Sequence, residues 1–131
     1  RHLYEIAHPA GRAARLSRLV ARLASGLLVN ALVRQVNAAG GSAMVLAKGE
    51  AEAGAILVLA VERGADPRFF ERGIGPNGTP ALVRSGPAEL ADDAAVTDYW
   101  RRRRSRDPDL WVVELDIAGA ERFAAETLTS G

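Results

Sequence analysis

From Ser25 to Gly41 the chain reads SGLLVNALVRQVNAAGG, where Leu28, Leu32, Val36 and Ala39 recur every three or four residues and Leu27, Ala31 and Val33 widen the stripe. This spacing predicts an amphipathic helix, with Ser25 as its N-cap and Gly40 and Gly41 as a stop that tolerates left-handed backbone. Gly26 predicts a break from the pattern that precedes it. Two apolar runs follow, about Ala43–Lys48 and Ala55–Arg63, separated by a polar turn from Gly49 to Gly54. They are expected to pair as a hairpin, and the second, apolar on both faces, has the pattern of a central strand. Arg68–Arg72 and Ala81–Arg84 are the arms of another hairpin, turning through Asn77-Gly78.

Leu90, Ala94, Val96, Tyr99, Trp100 and Arg103 then fall at helical intervals, giving a helix from about Glu89 to Arg104 that Pro108 prevents from continuing. DLWVVELDI alternates Trp111, Val113, Leu115 and Ile117 against Val112, Glu114 and Asp116, a strand with one buried and one wetter face. AGAERFAAETL is a short closing helix with Phe123, Ala124 and Leu128 inward. The order helix, two hairpins, helix, strand, helix lacks a strict βαβ alternation. It predicts an α+β domain, a mostly antiparallel sheet of about five strands with helices packed on one side.

The 131 residues fit one domain, expected over residues 21–131, and the balance of 48% apolar to 25% charged residues argues against disorder. Residues 1–20 are set apart as a basic N-terminal extension, read as an extra helical turn packing on the domain, as an alternative start or added sequence, or as a targeting or membrane-surface element: they lack an initiator Met and are nearly acid-free, and Leu16, Leu19, Val20 and Leu23 form a stripe at their end. With no cysteine, disulfides, thiolate catalysis and cysteine-ligated metals are excluded, and a cytoplasmic setting is the simplest reading. No apolar run approaches the ~20 residues a membrane-spanning helix needs. The net charge of +1 does not by itself imply nucleic acid.

Little in the sequence has the spacing of a known chemistry. Gly73, Gly75 and Gly78 satisfy G-x-G-x-x-G, but a strand rather than a helix is expected after them, so they read as a turn. His2 and His8 are the only histidines and have no metal-ligand spacing; no metal and no cofactor are expected. Glu114 and Asp116 share a strand face, about 7 Å apart by strand rise, a spacing that could serve acid–base work. The run Arg101–Arg104 looks polybasic, yet consecutive helical residues step by about 100°, so the four arginines point in different directions. The flanking Asp92, Asp93, Asp98, Asp107 and Asp109 balance the arginines locally, which favours a solvated helix end over a nucleic-acid grip.

ARLASGLLVNALVRQVNAAGG, AKGEAEAGAILV and above all DPDLWVVEL, from Asp107 to Leu115, resemble the small bacterial proteins of domain-of-unknown-function family 1491. The likeness covers about Ala21 to Ile117. It implies a small soluble bacterial domain and supplies no catalytic residues. The favoured reading is a non-enzymatic protein-interaction or ligand-binding module, with an unknown protein partner or self-association, centred on the helix-to-strand junction. Its candidate residues are Arg101, Arg104, Asp107, Asp109 and Trp111, with Trp111 offering an amphipathic contact where exposed. The first alternative is an RNA- or DNA-binding accessory protein using the arginine-rich segments, and the second a small enzyme using Glu114 and Asp116.

Overall fold

The computed structural model describes residues 24–129, so the basic extension, its leucine stripe, His2 and His8 lie outside the described residues. The elements are α1 (Ser25–Ala38), β1 (Ser42–Ala47), β2 (Ile56–Glu62), β3 (Ala65–Ile74), β4 (Pro80–Ser85), α2 (Asp93–Arg106), β5 (Trp111–Asp116) and α3 (Ala120–Leu128). None of these helices is long and apolar enough to cross a membrane.

The five strands form one sheet in the order β1-β5-β2-β3-β4. Only the β2–β5 pair is parallel, with Val58 opposite Val113; β1–β5, β2–β3 and β3–β4 are antiparallel. The α+β class and the mostly antiparallel sheet are as expected. The first hairpin is not: β1 and β2 do not pair, because β5 lies between them. Every residue of β2 from Ile56 to Val61 is buried, and such a strand needs a neighbour on each edge. β1, half exposed, serves as an outer strand instead. The Asn77-Gly78 hairpin forms with Phe70 opposite Arg84, and Gly78 takes the positive φ of 78° that its turn requires.

The expectation that helices cover one side is also corrected. On one face Leu28, Leu32 and Val36 of α1 and Ala120, Ala124 and Leu128 of α3 pack on Ile56, Val58 and Ala60 of β2 and on Trp111, Val113 and Leu115 of β5. On the other, Val96, Tyr99 and Trp100 of α2 pack with Leu57, Leu59, Val61, Phe69 and Val112. The cause is β2 itself: its alternate residues are equally apolar, so water must be removed from both faces.

The helix starts also differ from expectation. α1 has no side-chain cap; Ser25 is buried, and its hydroxyl donates to the Gly54 carbonyl, tying the start of α1 to the β1–β2 loop. α2 begins at Asp93 rather than near Glu89, because the Asp92 carboxylate accepts the Ala95 N–H at 2.9 Å and fixes the first turn there.

Candidate functional site

Three polar contacts brace the helix-to-strand junction internally, and two more tie it to the β1–β2 loop. The Asp107 carboxylate accepts the Asp109 N–H at 3.1 Å, and the Arg104 guanidinium donates to the carbonyls of Pro108 and Leu110. The Asp109 carbonyl accepts the Glu50 N–H at 3.0 Å, and the Trp111 indole N–H donates to the Glu50 carbonyl at 2.8 Å. The approach is close enough that a Cβ on Gly49 or Gly54 would stand 2.2 Å from the Asp109 carbonyl oxygen. Glu50 is held in turn by the N–H groups of Glu52 and Ala53, which keep its carboxyl below the usual carboxylate range. The structure thus brings Arg104, Asp107, Asp109 and Trp111 together. Trp111 is only 5% exposed and lies against Gly26 of α1, so it presents no contact face to solvent. Arg101 stands apart from them on the outer side of α2, 5.6 Å over the Trp100 ring.

The other arginines of the run diverge as helical geometry requires. Arg103 turns onto the sheet, donating to both carboxylate oxygens of Glu71 at 2.8 and 2.9 Å and to the Tyr99 hydroxyl at 2.9 Å. The salt bridge holds the Glu71 carboxyl below its ordinary value and raises Arg103. The Tyr99 hydroxyl shares a further hydrogen bond with Ser85 of β4, so a polar network clamps the middle of α2 across β3 and β4.

Clamped there, α2 leaves a cleft of about 600 Å³ between its first half and the sheet. Leu46 of β1 and Leu59 and Val61 of β2 line the sheet side. Leu90, Asp92, Asp93, Val96, Thr97 and Trp100 supply the helix side, and Glu114 of β5 projects into the space. Glu114 is half-buried, and loss of hydration pushes its carboxyl above the usual range, helped by the negative charges of Asp116 and then Asp93. Among the described residues no donor hydrogen-bonds it and no cation pairs with it.

The two carboxylates that share a strand face are therefore divided in role. Asp116 accepts the N–H groups of Arg63 and Gly64 at 2.6 and 3.0 Å, bracing the tight β2–β3 turn in which both residues have positive φ, 53° and 73°. Glu114 alone lines the cleft. The sequence marks it as one acid between Val113 and Leu115, but the Leu46, Leu59 and Trp100 that complete its surroundings come from three other elements. No group of three or more acidic, histidine or cysteine side chains suited to a metal ion occurs among the described residues.

Comparison with known proteins places this geometry in a family. A crystal structure of a DUF1491 family protein from Caulobacter crescentus CB15 is 32% identical, with a TM-score of 0.66, over 77% of this chain and 94% of that one. An NMR structure of a DUF1491 family protein from the same organism is also 32% identical, with a TM-score of 0.63, over 78% and 92%. A solution structure of a protein from A. tumefaciens is 29% identical, with a TM-score of 0.60, over 82% and 92%. No curated protein matches. The model described as "Protein of unknown function (DUF1491)" matches residues 23–125, a span that holds both the DPDLW junction and the Glu114 cleft, and the chain belongs to that family.

Proposed function

We propose that this domain is a non-enzymatic ligand-binding module and that its site is the cleft between α2 and the sheet. One observation carries the reading: Glu114 is held half-buried, without a partner among the described residues, in a cleft that it shares with aliphatic side chains, Trp100 and the carboxylates of Asp92 and Asp93. A carboxyl in a cleft, whose charge burial opposes, is the kind of group that functional sites concentrate. A volume of about 600 Å³ lies within the ordinary range for small-molecule sites. The junction of Arg104, Asp107, Asp109 and Trp111 is the frame of this site, since it fixes where α2 ends and β5 begins. Arg101, on the outer side of α2, lies outside the site. Binding rather than catalysis is favoured because Asp116, the other half of the carboxylate pair, is spent on the β2–β3 turn.

The two tryptophans make the test direct. In a fragment screen by heteronuclear NMR, ligands of the cleft move the Trp100 indole signal and leave that of Trp111, on the opposite face, in place. Hits that move neither signal, or that persist undiminished in Trp100→Ala, would remove the proposal.

Self-association is a second reading with its own support. β1 is an edge strand without a charged residue, and its Met44 and Val45 are 59% and 39% exposed. A concentration-dependent dimer in sedimentation, abolished by Met44→Lys, is the expected result, and a monomer at millimolar concentration would exclude it.

A further inference from the structure

We infer that the cleft selects a small amphipathic cation, a protonated nitrogen on a compact apolar body. This deepens the reading of the cleft as a ligand site and rests on it. The lining decides the sign of the charge. Glu114, Asp92 and Asp93 face the space, Asp116 lies close enough to act on Glu114, and no lysine or arginine is among the lining residues. The start of α2 would ordinarily invite an anion, but the Asp92 carboxylate already occupies it by accepting the Ala95 N–H. An anionic ligand would meet like charges on two sides. A neutral one would leave Glu114 as it stands, partly dehydrated and unpaired among the described residues, whereas a cation gives it a partner. Leu46, Leu59, Val61 and Val96 with the Trp100 ring give an aliphatic or aromatic body a surface to rest on, and Thr97 adds one neutral polar group beside the acids.

Three probes with one apolar body separate the possibilities: 2-phenylethylammonium, 2-phenylethanol and 3-phenylpropionate, each titrated into the isotopically labelled full chain. Shifts are followed at the Trp100 indole and the amides of Leu46, Leu59 and Val96. The ammonium is expected to bind at least about 10-fold more tightly than the alcohol, the worth of one charge-assisted hydrogen bond, and the carboxylate not at all. Glu114→Gln, which removes a burial cost and so folds, is expected to abolish the preference for the ammonium over the alcohol. If the carboxylate or the alcohol moves the cleft signals as readily as the ammonium, the charge assignment is wrong and the cleft remains a ligand site. If no probe moves them at any concentration up to solubility, the cleft reading falls and this inference with it. An ammonium preference that survives Glu114→Gln overturns the role given to that residue.

Discussion

Arg103→Met should loosen α2 from the sheet, and its cost can be worked from the geometry. The substitution keeps most of the aliphatic stem and removes the guanidinium, deleting two charge-assisted hydrogen bonds to Glu71 and one to the Tyr99 hydroxyl. Fully exposed ion pairs contribute about 0.2–1 kcal/mol, and breaking a fully buried one costs about 3–5 kcal/mol. The Arg103 and Glu71 side chains are 28% and 24% exposed, which puts the pair between these limits and nearer the buried one. A loss of about 2–3 kcal/mol follows, equivalent to a fall in Tm of roughly 7–14 °C for a domain of this size. Urea denaturation at pH 7 measures it. The pH dependence supplies a second check. The Glu71 carboxyl is depressed in the folded state, chiefly by the Arg103 hydrogen bonds, so its stabilisation is present above the ordinary carboxylate range and lost as pH falls through the folded value. The difference between wild type and Arg103→Met should therefore shrink as the pH is lowered below about 4. A cost under about 0.5 kcal/mol at pH 7, the range of an ordinary surface substitution, would refute the assignment, as would one that does not change with acid.

Glu114→Gln should act in the opposite sense. A carboxyl raised in the folded state makes the protein less stable as pH rises from the unfolded value through the folded one, so the variant gains stability at pH 7, by at most about 0.5 kcal/mol because solvent screens so exposed a group, and nothing at pH 4, by thermal unfolding at the two pH values. Asp116→Ala removes the acceptor for the Arg63 and Gly64 N–H groups and should cost about 1–3 kcal/mol in denaturant, while lowering the Glu114 carboxyl as read by side-chain NMR titration. Gly49→Ala drives a methyl into the Asp109 carbonyl and Trp111 and should cost at least about 1–3 kcal/mol, whereas Ala51→Ser, at an exposed position of the same loop, should stay within about 0.5 kcal/mol.

Much of this architecture could be read from local pattern, because local pattern is where those features originate. The run from Ile56 to Val61 announces a central strand, Asn77-Gly78 a hairpin and Pro108 the end of a helix. The stripe through Val96, Tyr99, Trp100 and Arg103 identifies the inward side of α2, including the one arginine of four that turns to the sheet. What could not be read is non-local. Nothing in SAMVLA states that its partner is WVVELD, about 70 residues later, rather than the strand that follows it. Nor does amphipathicity state which face of the sheet a helix covers. Ser25 has the identity of a cap, but its hydroxyl is claimed by Gly54 from outside the helix. Arg104, Asp107, Asp109 and Trp111 are neighbours in sequence and in space, Arg101 is a neighbour in sequence alone, and the engagement with Glu50 could not be read, since that contact reaches across to the β1–β2 loop. Glu114 was visible as a carboxylate on a strand face; the cleft that gives it meaning is assembled from four elements.

The insertion of β5 between β1 and β2 has a consequence for synthesis. A ribosome delivers β1 and β2 well before their common neighbour, so the emerging chain holds two strands that cannot complete a sheet, one of them apolar from Ile56 to Val61. Pairing of distant segments is slow, and unpaired apolar edges invite association in the interval. Force-profile measurements on stalled nascent chains should accordingly register no stable fold until Asp116 has cleared the exit tunnel. The domain is then completed from its middle, by the last strand to arrive.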